Sequence, residues 1–220
     1  MAATRLRQGN SDNRSFDRNV FVNCPFDKNY TPLLRPLLFT IIHLGLNPRI
    51  ALESKNSGSP RIEKIETLIR ESLYAIHDLS RNKAKKKGEL YRLNMPFELG
   101  LDVGCQRFSA GRRTKKKCLI LDAESYRYQA ALSDIAGSDI ENHRNEPREV
   151  VVLVRNWLSS EARLKAQGPT KIWNSFNDFT DETSTDLRRG GFLKKDIEKM
   201  PTSELIDRMR EWCGRPNANP

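Results

Sequence analysis

The order of apolar runs along this 220-residue chain predicts an α/β fold, a parallel sheet flanked by helices. Two observations carry that expectation. Runs of strand length recur at Asn19–Cys24, Asn47–Leu52, Ser72–Asp78 and Cys118–Asp122. The segments between them repeat their apolar residues with the period of a helix, and such alternation marks parallel strands joined by crossover helices.

Asn19-Val-Phe-Val-Asn-Cys24 ends at Pro25 and reads as a buried first strand. From Tyr30 to Leu44, Leu34, Leu38, Ile41 and Ile42 mark one helical face, with Pro32 placed to open the helix and Gly45 to close it. A turn leads to the short second strand at Asn47–Leu52. The loop Lys55–Pro60 then precedes a helix from Arg61 to about Glu71, striped by Ile62, Ile65, Leu68 and Ile69. Ser72–Asp78 is the third strand. In Asn94-Met-Pro-Phe-Glu-Leu-Gly-Leu-Asp102, Asn94 stands at a capping position and Pro96 in the first turn, where a missing N–H costs little. Phe97, Leu101 and Cys105 fall on one face of that helix, flanked by Leu99 and Val103. Asn94, Glu98 and Asp102 follow one another a turn apart along one edge.

After the fourth strand, Ala130–Ile140 suggests a short helix and a turn. Val150–Val154 has strand composition, yet Val151, Val154, Trp157 and Leu158 hold helical spacing behind Glu146-Pro147, which favours a helix. Further helices are expected after Gly168-Pro169, with Ile172, Trp173 and Phe176, and from Pro201, with Leu205, Met209 and Trp212 facing inward. The expected organisation is a polar, mobile leader (1–18), an α/β domain (19–146) and a helical C-terminal extension (147–220). Trp157, Trp173 and Trp212 should dock that extension on the core and offer a surface for self-association or a partner.

Composition narrows the function classes. No apolar run approaches the roughly 20 residues of a membrane span, and no apolar segment follows the basic start, so neither a membrane anchor nor a secretory signal is expected. Cys24, Cys105, Cys118 and Cys213 are dispersed, with no CxxC pair and no clustered histidines. That suits reduced thiols in the cytoplasm and speaks against a structural metal site. The net charge of +10 is concentrated in two runs, Lys83–Lys87 and Arg112–Lys117. Neither carries the interleaved aromatic residues of a single-strand binder, so solvated loops are the default reading and nucleic acid the lesser alternative.

Ligands of open parallel sheets bind beyond the carboxyl ends of the strands. Those ends collect Asn23, Cys24, Pro25, Phe26 and Asp27 from the first strand, His77, Asp78, Ser80 and Arg81 from the third, and Asn94 and Glu98 from the helix that follows. Each has a plain alternative: Asp27 as a helix cap, His77 as a core histidine, Asp78 and Ser80 as turn formers, Arg81 as a surface arginine. Cys24 has no activating partner in sequence and reads as a small buried filler rather than a nucleophile. GxGxxG, GxxxxGK[ST] and GxSxG are all missing, which removes the dinucleotide fingerprint, the Walker phosphate loop and the serine-hydrolase elbow.

The segments Val20-Phe-Val-Asn-Cys-Pro-Phe-Asp27, Ile76-His-Asp-Leu-Ser80 and Asn94-Met-Pro-Phe-Glu-Leu-Gly100 together resemble a bacterial TIR-like domain. The last also resembles the Phe-Glu-Leu-Gly segment of nucleoside 2-deoxyribosyltransferases, a related flavodoxin-like architecture. The resemblance covers roughly Asn19 to Ile140. It implies a flavodoxin-like, TIR-like fold in which Glu98 is the carboxylate acting on an N-glycosidic bond. It also implies NAD as substrate rather than cofactor, hydrolysed or cyclised with release of nicotinamide, in antiviral defence as an oligomer or with a defence partner. Asn94 would hold a ribose hydroxyl, and the amides at the first strand's end, with Arg81, would hold phosphates. The sequence departs from animal and plant TIR domains in lacking Trp/Ser-Cys-x-x-Glu around Glu98 and the Ser-Tyr/His pattern after the first strand. A nucleoside deoxyribosyltransferase or N-glycosidase, and a non-catalytic nucleotide-sensing or protein-interaction module, stay open as alternatives.

Overall fold

Five strands, β1 (Asn19–Asn23), β2 (Asn47–Ile50), β3 (Tyr74–Asp78), β4 (Lys117–Asp122) and β5 (Ile140–Asn142), pair in parallel in the order β2-β1-β3-β4-β5. That is the flavodoxin-like order. The computed structural model describes residues 15–53, 58–80, 93–124 and 139–215. Seven α-helices lie among them: α1 (Thr31–His43), α2 (Arg61–Arg70), α3 (Asn94–Phe108), α4 (Pro147–Glu161), α5 (Pro169–Arg189), α6 (Lys194–Glu198) and α7 (Thr202–Cys213).

Strand alternation divides the core into two unequal sides. Val20, Val22, Tyr74, Ile76, Leu119 and Leu121 point to one face and merge with α1, α4, α5 and α7 in a single apolar cluster. Phe39 of α1 is its centre, with its ring 5.5–5.7 Å from those of Phe176, Phe179 and Trp212. On the other face, Phe21 and Ala75 meet Ile65, Leu68 and Ile69 of α2, while Leu79, Leu99 and Ile120 form a separate small group. The C-terminal helices therefore complete the sheet's main core. Val150, Val151 and Val154 belong to α4, so helical spacing there outweighs strand composition.

The ends of α1 follow the sequence signals. Pro32 opens it. Gly45 closes it at φ 75°, where the Leu46 N–H reaches the Ile41 carbonyl and the Gly45 N–H that of Ile42.

Several local features differ from the sequence expectations. Ile140–Asn142 is an edge strand in register with β4, Ile120 opposite Ile140; three residues, none of them buried, give too little pattern to signal it. Of the helix and turn expected at Ala130–Ile140, residues 130–138 lie outside the described residues. Helix α6 is one short turn without an apolar stripe and was not expected. In α3, Leu93 rather than Asn94 precedes the helix; Asn94 is its exposed first residue, and no side chain caps the start. Phe97 is 57% exposed, Leu101 and Cys105 of the same face are half-buried against the α2 side of the core, and Glu98, Leu99 and Asp102 are buried. The polar edge of α3 thus faces the protein, because what lies beneath it is His77 and not an apolar floor. Of the leader, residues 1–14 lie outside the described residues. Phe16 and Arg18 are tied down, Phe16 O accepting from the Leu73 N–H and the Arg18 side chain donating to Gly45 O.

Candidate functional site

β1 and β3 end side by side, with Asn23 in register with His77, and the first turn of α3 crosses above them. This brings Asn23, His77, Asp78, Ser80 and Glu98 to the carboxyl-end rim, as strand-end reasoning expects. Arg81 lies outside the described residues.

Glu98 is buried, 4% exposed, and its carboxylate lies 3.6 Å from the guanidinium of Arg61 at the start of α2. Arg61 is half-exposed and rests over the ring of Phe26, 5.9 Å from its centroid. Burial pushes the Glu98 carboxyl above its ordinary range, against the pull of Arg61 and His77. The site therefore holds a carboxylate of reduced hydration in an ion pair with a half-exposed arginine.

Beneath Glu98 runs a buried polar chain. Asn23 Nδ2 donates to the Met95 carbonyl at 2.9 Å and lies 3.1 Å from His77 Nδ1. His77 Nε2 is 3.1 Å from Asp102 Oδ2, and Asp102 Oδ1 is 3.0 Å from the Lys116 ammonium. Lys116 also donates to the carbonyls of Ile69, at 2.8 Å, and Ser72. Burial alone would push Asp102 upward, but the bond from His77 and the charge of Lys116 hold it below the usual carboxylate range.

A second cluster closes the end of β3 on the opposite face. Asp78 is fully buried and accepts from the Tyr30 hydroxyl and the Ser80 N–H, and its Oδ2 lies 3.1 Å from His143 Nε2. Its burial penalty is outweighed chiefly by His143, with Ser80 and Tyr30 adding to the effect, so its carboxyl also lies below the ordinary range. His143 Nδ1 accepts from the Asn145 N–H at 3.1 Å, which places the proton of the neutral ring on Nε2, beside Asp78. Arg144 and Asn145 adopt positive φ (52° and 59°) in the turn that makes this contact.

The other first-strand residues are structural in their contacts. Cys24 is buried, and its thiol is pushed well up by burial and by the charges of Asp78, Glu98 and Asp27, so it stays protonated. Pro25 is buried. Asp27 Oδ1 accepts from the N–H groups of Asn29 and Tyr30 at 3.0 and 3.1 Å, shaping the turn into α1.

Sequence reasoning missed Arg61, Tyr30, His143 and Lys116. Arg61 was recoverable, because the strand-end rule applied to β2 leads to the start of α2. Tyr30 sits next to the expected start of α1, but nothing local points it at Asp78. His143 follows a strand too short to notice, and Lys116 was hidden in a basic run. A cleft of about 480 Å³ lies at the opposite edge of the sheet, lined by Phe16, Asn19, Arg70, Glu71, Arg112 and Arg113. There Arg113 and Lys116 satisfy the last carbonyls of α2, the ordinary role of cations at a helix end.

Among the described residues no helix is long and apolar enough to cross a membrane, and no group of three or more His, Cys, Asp or Glu side chains is arranged to hold a metal ion. No family model, curated protein or solved structure matches the chain.

Proposed function

We propose that the chain cleaves the N-glycosidic bond between nicotinamide and ribose in NAD, with Glu98 as the catalytic carboxylate. The observation that carries this reading is the buried Glu98 at the carboxyl-end rim, poorly hydrated and paired with a half-exposed arginine. As the bond breaks, its electron pair moves onto the pyridine nitrogen and neutralises the leaving base. The positive charge passes to C1′ and the ring oxygen of the ribose. A carboxylate of low hydration stabilises that charge more strongly than one in water, or attacks C1′ covalently. Water completes the reaction at C1′ and gives up a proton; attack by a group of the substrate itself would give a cyclic product. Arg61 is placed to leave Glu98 for the substrate's phosphates, since a guanidinium pairs with phosphate in a forked geometry.

The antiviral setting, and assembly as an oligomer or with a defence partner, belong to the same proposal and rest on the TIR-like segments. Chromatography of NAD incubated with the pure chain and with Glu98→Gln tests it. Free nicotinamide from the native chain, reduced about a hundredfold in the variant, is the expected result. Base exchange between deoxynucleosides without nicotinamide release would instead assign the deoxyribosyltransferase reading. Binding of a nucleotide without turnover would assign the sensing module.

A further inference from the structure

We infer that Asn23 presents its side-chain carbonyl oxygen to the ligand as a hydrogen-bond acceptor, held in that orientation by the buried chain His77–Asp102–Lys116, and that it takes an uncharged donor such as a sugar hydroxyl. The inference rests on the cleavage reading above and adds which part of the substrate lies where.

The polarity of the chain follows from its two ends, neither of which can change role. At one end, the Met95 carbonyl can only accept, so the Asn23 atom 2.9 Å from it is the amide nitrogen. The second N–H of that nitrogen points to His77 Nδ1 at 3.1 Å, and Nδ1 must therefore carry a lone pair. The ring proton then sits on Nε2 and is donated to Asp102 Oδ2 at 3.1 Å. At the other end, Lys116 can only donate, and its ammonium 3.0 Å from Oδ1 keeps Asp102 an anion that accepts. Both amide protons of Asn23 are thereby used inside the protein.

What remains is Asn23 Oδ1, which has no partner among the described residues; the residue is 2% exposed, and this oxygen keeps a small opening to solvent through which a ligand can reach it. An acceptor so placed is costly unless a ligand or water supplies a donor. It repels phosphate and carboxylate oxygens, as do the charges of Asp78, Glu98 and Asp27, which act together on the adjacent Cys24. Anionic groups of a ligand therefore belong on the Arg61 side and hydroxyl groups on the Asn23 side. Met95 lies in the first turn of α3, so the same amide that faces the ligand also fixes the helix carrying Glu98. His77, Asp102 and Lys116 act through Asn23 and are positioning residues.

The test is the tautomer of His77, read by ¹⁵N NMR on the native full-length chain, with NAD as the ligand probe. The expected state is protonated at Nε2 and bare at Nδ1; a proton on Nδ1 reverses the amide and overturns the proposal. Asp102→Asn, whose amide can donate as well as accept, should mix the tautomers and raise KM for NAD about tenfold, with a smaller change in kcat. Lowered thermal stability with tautomer and KM unchanged would make the chain purely structural and would also overturn the proposal. Absence of nicotinamide release from the native protein strikes the cleavage reading alone, because the tautomer still decides the orientation of Asn23.

Discussion

The two faces of the sheet are built from different materials. One is covered by α1, α4, α5 and α7 in a continuous apolar cluster with an aromatic centre. The other, under α2 and α3, holds two small apolar groups, with the chain from Asn23 to Lys116 buried on the same side. Apolar burial is non-directional and roughly proportional to area, so the thick face can supply most of the stability without specifying any side chain's orientation. Buried polar chains do the reverse: their net energy is modest, but each member sets the direction of the next. On this division the thick face holds the sheet in place, while the thin face aims Asn23 and Glu98.

The sharpest way to break the contrast is to remove part of the thick cover. A chain ending at Asn145 loses Val150, Val151, Val154, Leu158, Ile172, Phe179, Ile206, Met209 and Trp212 from the main cluster and bares the apolar side of α1. It should be insoluble or unfolded; a soluble, cooperatively folding truncation would show the C-terminal helices to be dispensable. Phe39→Ala is the milder form. It should cost about 3–5 kcal/mol by chemical denaturation while leaving kcat of the folded fraction unchanged.

Glu98→Gln should give the opposite outcome, about a hundredfold loss of turnover with a nearly unchanged unfolding midpoint. If the loss merely follows unfolding, Glu98 is only a helix-start acid. Because burial raises its carboxyl above the ordinary range, turnover should decline on acidification sooner than an ordinary carboxylate near pH ~4.3 would allow. An acid limb lying below that value would remove Glu98 from the rate-limiting charge balance.

The thick face was legible from sequence almost throughout, since Leu34, Leu38, Ile41 and Ile42 in α1 and Val151, Val154 and Leu158 in α4 repeat at the period that buries them. The thin face was legible only in its residue list. Asn23, His77 and Glu98 were reached from the strand ends and the helix that follows, but the contacts that join Asn23 through His77 and Asp102 to Lys116 were not. Period alone cannot show that Glu98 and Asp102 turn inward when their partners, Arg61 for the first and His77 and Lys116 for the second, come from other elements. Polar burial is a property of pairs, and pairs distant in sequence leave no local pattern.

The smallest expected effect separates the faces by pH. On the thick face, burial lowers His43 below its ordinary value, helped by Lys171 and opposed by a hydrogen bond with Gln167, 3.2 Å away. The folded protein prefers His43 neutral, whereas the unfolded chain protonates it near pH ~6.5. Its contribution is therefore complete above that value and erodes as pH falls through it toward the lower folded value. On the thin face, Asp102 is lowered, so its contribution is complete above the unfolded value near pH ~3.9 and is lost only as pH falls below it. Asp78 at the strand end behaves likewise. Denaturation midpoints of the native chain should thus show two separate declines, a shallow one in mild acid and a second well below it. His43→Gln should flatten the first and spare the second, and Asp102→Asn should reduce the second and spare the first. If His43→Gln leaves the decline in mild acid unchanged, that decline does not come from the α1 contact with Gln167, and the assignment of the two declines to two faces fails.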